Sequence, residues 1–138
     1  MRSKFFSVWS AIANREWSGQ REVMVTDQTE PIQKGAEVLF VTKQPVTFKY
    51  DYPLSNEARF THTLKSGKWT RTKLVRIIQR DYAKIYKAED DPGHIPGMLN
   101  RARSEGPYGI WGHDIGDLVI EGINYNPKTR TINPSIGS

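Results

Sequence analysis

"GKWTRTKLVRIIQRDYAKIYKA", residues 67–88, decides the fold class. Leu74, Ile77, Ile78, Tyr82 and Ile85 recur at three- and four-residue spacing, and Val75 and Tyr86 border the same stripe. That period belongs to a helix with one buried face, because a strand would alternate instead. Thr70 or Thr72 can cap its start. "DDPGHIPG", residues 90–97, holds two prolines and two glycines and ends it. One residue breaks the pattern: Asp81 sits inside the apolar arc, between Ile77 and Ile85. If buried, its carboxylate must find a partner, for which Arg101, Arg103 and His113 are candidates.

Upstream of this helix the period changes to two. "REVMVT" (21–26) is a short strand candidate, and "AEVLFVT" (36–42) reads as a strand buried on both faces. "PVTFKYDY" (45–52) puts Val46, Phe48, Tyr50 and Tyr52 on one face, and "ARFTHTL" (58–64) groups Phe60, His62 and Leu64. Near the N-terminus, Phe5, Val8, Trp9, Ile12, Ala13 and Trp17 fit one face of a helix, read as retained rather than as a targeting peptide. Downstream, Asp114 with Asp117 resembles a capping box opening a short helix over 114–121, and "INYNPKTRTI" (123–132) reads as a hairpin. The expectation is a single α+β domain over 1–138. It has an antiparallel sheet of three to five strands packed by one long helix, an N-terminal helix, a short helix near 114–121 and a C-terminal hairpin.

Composition narrows the function classes. The chain of 138 residues has no cysteine, which removes disulfides, thiolate metal sites and a cysteine nucleophile. Three scattered histidines make no zinc signature, and no phosphate-loop, dinucleotide or hydrolase motif is present, so no cofactor and no metal is expected. No apolar run is long enough for a membrane span. Net charge is +5, and it is unevenly placed: residues 65–87 carry +7, and residues 88–124 carry −5. On a helical wheel, Lys73, Arg76, Arg80, Lys84 and Lys87 share an arc of roughly 80°, away from the apolar stripe. No acidic residue is interleaved on that arc, where an ordinary solvated face mixes signs. Such a row suits a phosphate backbone or an acidic protein surface, although the acidic segment that follows could also neutralise it.

"GPYGIWGHDIGDLVIEGI", residues 106–123, is the other dense stretch, with five glycines, Trp111, His113, Asp114, Asp117 and Glu121. His113 as acid or base, with Asp114, Asp117 and Asp81 as orienting or metal-binding carboxylates, would define a small hydrolase or metal-dependent enzyme. Cap and turn chemistry accounts for the same residues without catalysis. A third reading makes the chain a structural subunit whose Trp9, Trp17 or Trp111 seats in a neighbouring chain, as a homo- or hetero-oligomer.

The string "YDYPL…FTHTLKSGKWTR…DYAKIYKAE…PGMLNRARSEGPYGIWGHDIGDLVIEGI" resembles an uncharacterised family of short proteins associated with large double-stranded DNA viruses of eukaryotes. The resemblance covers about residues 46–138 and brings no assigned activity, so it places no catalytic residue. It implies a viral-factory or virion-associated protein, cytoplasmic or nuclear, with a nucleic-acid or assembly partner. The leading expectation is therefore a non-enzymatic binding or assembly module with a basic helix face.

Overall fold

A computed structural model describes residues 2–12, 21–89 and 106–138. Eight strands and one long helix are assigned among them: β1 (Lys4–Ser7), β2 (Val23–Met24), β3 (Val38–Val41), β4 (Val46–Tyr50), β5 (Ala58–His62), β6 (Lys68–Thr70), α1 (Arg71–Ala88), β7 (Val119–Asn126) and β8 (Thr131–Gly137). The architecture is α+β. The main sheet runs β1-β7-β8-β4-β5, with β2 also paired to β7, and β3 and β6 form a separate two-stranded sheet.

The main sheet is mixed rather than purely antiparallel. β4 and β8 run parallel, joined through Thr47–Thr131 and Phe48–Ile132, while the other pairings are antiparallel. A chain that reaches β8 only after crossing α1 can lie in either direction beside β4. Local sequence pattern carries no information about which.

α1 packs as its stripe dictates. Leu74, Ile78, Tyr82 and Ile85 are all buried, together with Val75 and Ile77. Thr70 caps it, its hydroxyl accepting from the Lys73 amide at 3.2 Å. The core beneath joins these side chains to Val46, Phe48 and Tyr50 of β4, Trp69 of β6, Ile120 and Ile123 of β7 and Ile132 of β8.

Three expectations are corrected. The N-terminal segment is not helical at residues 4–7, which form β1 against β7. Phe6, Val8 and Ser10 turn inward in alternation, and Val8 continues the pairing by donating to Glu121 O at 3.2 Å. Ala13 and Trp17 lie outside the described residues. The short helix near 114–121 shrinks to one 3-10 turn, Ile115–Asp117, because the β-branched Val119 and Ile120 open β7. β3 is not buried on both faces: Val38 and Val41 are exposed, since its sheet has only β6 as a second strand.

β7 and β8 pair antiparallel from Val119–Gly137 to Asn126–Thr131, around a turn at 127–130. The pairing therefore extends well beyond residues 123–132. In the turn the Asn126 side chain accepts from the Lys128 amide at 3.0 Å.

Candidate functional site: the polar rim of α1

The polar residues of α1 divide into two rows with opposite fates. The inward row holds Arg71, Arg76 and Gln79, which anchor the irregular segment 21–37. Gln79 is fully buried and donates to Met24 O at 3.0 Å and Asp27 O at 2.7 Å. Arg76, half-buried, donates to Gln79 Oε1 at 3.1 Å and to Glu30 O. Arg71, also buried, donates to Ser7 O, Lys34 O and Glu37 Oε1 at 3.0–3.2 Å. Buried carbonyls need donors once water is excluded, and these three side chains supply them.

The outward row is Lys73, Arg80, Lys84 and Lys87, all exposed. Among the described residues, no carboxylate forms an ion pair with any of them. The acidic segment does not neutralise the row through its described members. Glu89 is buried, its carboxylate accepting from the Gly109 amide at 2.7 Å and the Tyr108 amide at 3.3 Å. Asp117 accepts from the Asp114 amide at 3.1 Å, and Glu121 is exposed on β7. Asp90, Asp91 and Glu105 lie outside the described residues.

Of the five cations expected to share one surface, the structure keeps four in solvent and turns Arg76 partly inward. A wheel cannot make that distinction, because Arg76 lies at the edge of the arc, where the 21–37 segment reaches the helix.

Between the two rows Asp81 is fully buried. Tyr50 donates its hydroxyl to Asp81 Oδ2 at 2.6 Å, and His62 Nε2 stands 2.9 Å from Oδ2 and 3.1 Å from Oδ1. In the tautomer that carries its hydrogen on Nε2, the His62 ring donates to this carboxylate. Burial, followed by the Asp81 charge, pushes the Tyr50 phenol well above its ordinary range. His62 is one-quarter exposed and opens onto a cleft of about 270 Å³, walled by Leu64, Ile77, Arg80 and Lys84. Two cations of the outward row thus flank the only histidine that meets a buried carboxylate among the described residues.

His113 is not among Asp81's partners, and Arg101 and Arg103 fall outside the described residues. Tyr50 and His62 were missed as partners. The available signal was that both sit on alternating strands at inward positions.

The described residues of the glycine-rich corner do not bring its candidate groups together. His113 is half-buried, its Nε2 lies 3.4 Å from Ser138 Oγ, and its ring packs 5.6 Å from Tyr52. Asp114 and Asp117 are exposed at the 3-10 turn, and Glu121 lies on β7, so the three carboxylates do not share a helix face. Among the described residues no group of three or more His, Asp or Glu could hold a metal ion. Trp9 is half-buried, Trp111 is exposed and packs edge-on against Tyr52, and Trp17 and His94 lie outside the described residues. No helix among the described residues is long and apolar enough to cross a membrane.

Compared with protein-family models, curated proteins and solved structures, the chain has no significant match to any, so the functional reading rests on this geometry.

Proposed function

We propose that the protein is a non-enzymatic binding module that docks the outward face of α1 on the phosphate backbone of a nucleic acid. The observation that carries this reading is the row Lys73, Arg80, Lys84 and Lys87: exposed, of one sign, and without a carboxylate partner among the described residues. A rigid helix spaces these charges at fixed intervals, which suits a regular polyanion better than a single small ligand. Arg76 contributes charge at the edge but is committed to Glu30 and Gln79. Nothing in the row offers planar hydrogen-bonding groups to base edges apart from Arg80, so the contact reads charge rather than sequence. The resemblance to proteins of large DNA viruses points toward the same partner, in a viral factory or virion.

The test is fluorescence anisotropy of labelled single- and double-stranded DNA and RNA, as a salt series, with the variant Lys73→Glu/Lys84→Glu/Lys87→Glu. The wild type should bind with a log–log salt slope of about −3.6, roughly 0.9 for each of the four phosphates the row can neutralise on duplex DNA. The variant should lose binding while its thermal melt stays near that of the wild type. Binding to polyglutamate but not to nucleic acid would move the partner to an acidic protein surface. Absence of both at low salt would overturn the reading.

A further inference from the structure

A second basic cleft contains no residue of α1. It measures about 570 Å³, and its lining includes Arg2, Lys4, Val41, Tyr125, Pro127 and Arg130, with Phe40 and Thr42 beside them. Three chain segments converge there. Lys4 on β1 is the register partner of Tyr125 on β7, so their side chains share one side of the sheet. Phe40 of β3 stacks on Tyr125, with ring centres 3.7 Å apart and planes 6° apart. Its other neighbour is Trp69 at 5.8 Å and 16°, a fully buried ring that backs the stacked pair. Arg130, in the left-handed region at φ 50°, closes the cleft from the β7–β8 turn, where its guanidinium donates to Pro45 O.

Two further observations concern a ligand. The Tyr125 ring is largely buried, but its hydroxyl bonds to no protein group among the described residues, is not a buried orphan, and so stays open on the cleft side that the residue lines. Burial pushes this phenol up, and the Arg130 charge opposes the shift, which places the guanidinium within electrostatic reach of the ring's polar end. Val41 is 68% exposed, an unusual position for a valine beside stacked aromatics. Among the described residues, the lining carries three cations and no carboxylate. A bare inorganic anion would use the cations and leave Val41 and Pro127 wet. An acyl chain would use the apolar wall and leave three cations without a partner. Both halves are used by an anion attached to a flat, weakly polar ring.

We propose that this cleft binds a nucleoside phosphate. The phosphate sits among Arg2, Lys4 and Arg130, and the base lies against Val41 and Pro127 with an edge toward the Tyr125 hydroxyl. The site stands independently of the α1 reading. Its ligand is either a free nucleotide or an unpaired nucleotide within a strand, which present the same chemistry.

Calorimetric titration separates these cases, with AMP, GMP, CMP and UMP, a trinucleotide, and inorganic pyrophosphate as probes of the full chain. The expected result is saturable nucleotide binding, at least tenfold tighter than pyrophosphate. Lys4→Glu/Arg130→Asn should weaken it tenfold or more, and Tyr125→Phe should weaken it about threefold, as one lost hydrogen bond of modest strength requires. Lys73→Glu/Lys84→Glu/Lys87→Glu should leave it unchanged, so failure here and failure of the α1 reading are distinct. If the double variant fails to fold, Lys4→Gln reads the same loss at smaller size. A trinucleotide binding tenfold tighter than any mononucleotide assigns the site to strands, and equal affinities assign it to free nucleotides. The proposal is overturned if no nucleotide or trinucleotide saturates the protein at millimolar concentration. Pyrophosphate binding as well as a nucleotide would overturn it too, as would cleft variants that bind like the wild type.

Discussion

The two polar rows of α1 are built from the same residue types, yet one holds the fold together and the other faces solvent. Arg76 and Lys84 make the contrast plain. Both belong to one charged arc on a wheel, but the arginine reaches Gln79 and a loop carbonyl, and the lysine meets no described carboxylate. What separates them is the segment 21–37. It has only a two-residue strand, so its carbonyls draw on the helix for donors. Charge on a helix is therefore free for a partner only where no irregular backbone lies against it.

The comparison breaks most sharply at Asp81, between the rows. Asp81→Ala removes the acceptor of both Tyr50 and His62 and leaves a buried phenol and a ring N–H without partners. A loss of about 3 kcal/mol is expected, in the range for dismantling a buried polar network. Urea unfolding followed by tryptophan fluorescence measures it. A change below about 0.5 kcal/mol, typical of a surface position, would mean that Asp81 behaves as a member of the outward row.

Gln79→Ala should come next, at about 2 kcal/mol, because it removes the side-chain donor to the Asp27 and Met24 carbonyls and one of the two acceptors of the Arg76 guanidinium. Its signature is local. Amide hydrogen exchange should rise across 21–37 before it rises in the strand pair β4–β5. Uniform exchange throughout the chain would show that the segment is not held by this row.

These residues also mark how far the sequence could be read. The stripe of α1 and the alternation at 46–50 and 58–62 were legible because each is a local period many residues long. The N-terminal residues were not. Phe5, Val8, Trp9 and Ile12 satisfy a helical face, whereas Phe6, Val8 and Ser10 satisfy a strand, and pairing with β7 decides for the strand. Asp114 and Asp117 carry real cap chemistry, but a cap starts a helix only if the next turn continues it, and Val119 and Ile120 do not. The need for a partner at Asp81 was legible, but its identity was not, since Tyr50 and His62 lie 31 and 19 residues earlier and meet it only after β4 pairs with β5. The cleft at Tyr125 left no local trace. It depends on three segments that are distant in sequence and are brought together by β1, β3 and β7.

The smallest effect concerns pH and sharpens the inner half of the comparison. The Tyr50 phenol is raised by burial and then by the Asp81 charge, so the folded state favours its neutral form. For a group raised on folding, the stabilisation is complete below the unfolded value, near pH 10 for tyrosine, and is lost as pH rises toward the folded one. Each such tyrosine therefore contributes up to about 1.4 kcal/mol of lost stability per pH unit above 10. Tyr82 is raised too, chiefly by burial, and donates instead to the backbone at Tyr52 O. Tyr50→Phe should lower stability by a constant amount below pH 10 and make the alkaline limb shallower, with Tyr82 still present to supply part of the slope. Unfolding midpoints between pH 8 and 11 separate the offset from the slope. An unchanged slope would place the alkaline response on Tyr82 and other groups, and would mean that folding does not hold the Tyr50 proton more tightly than the unfolded chain does.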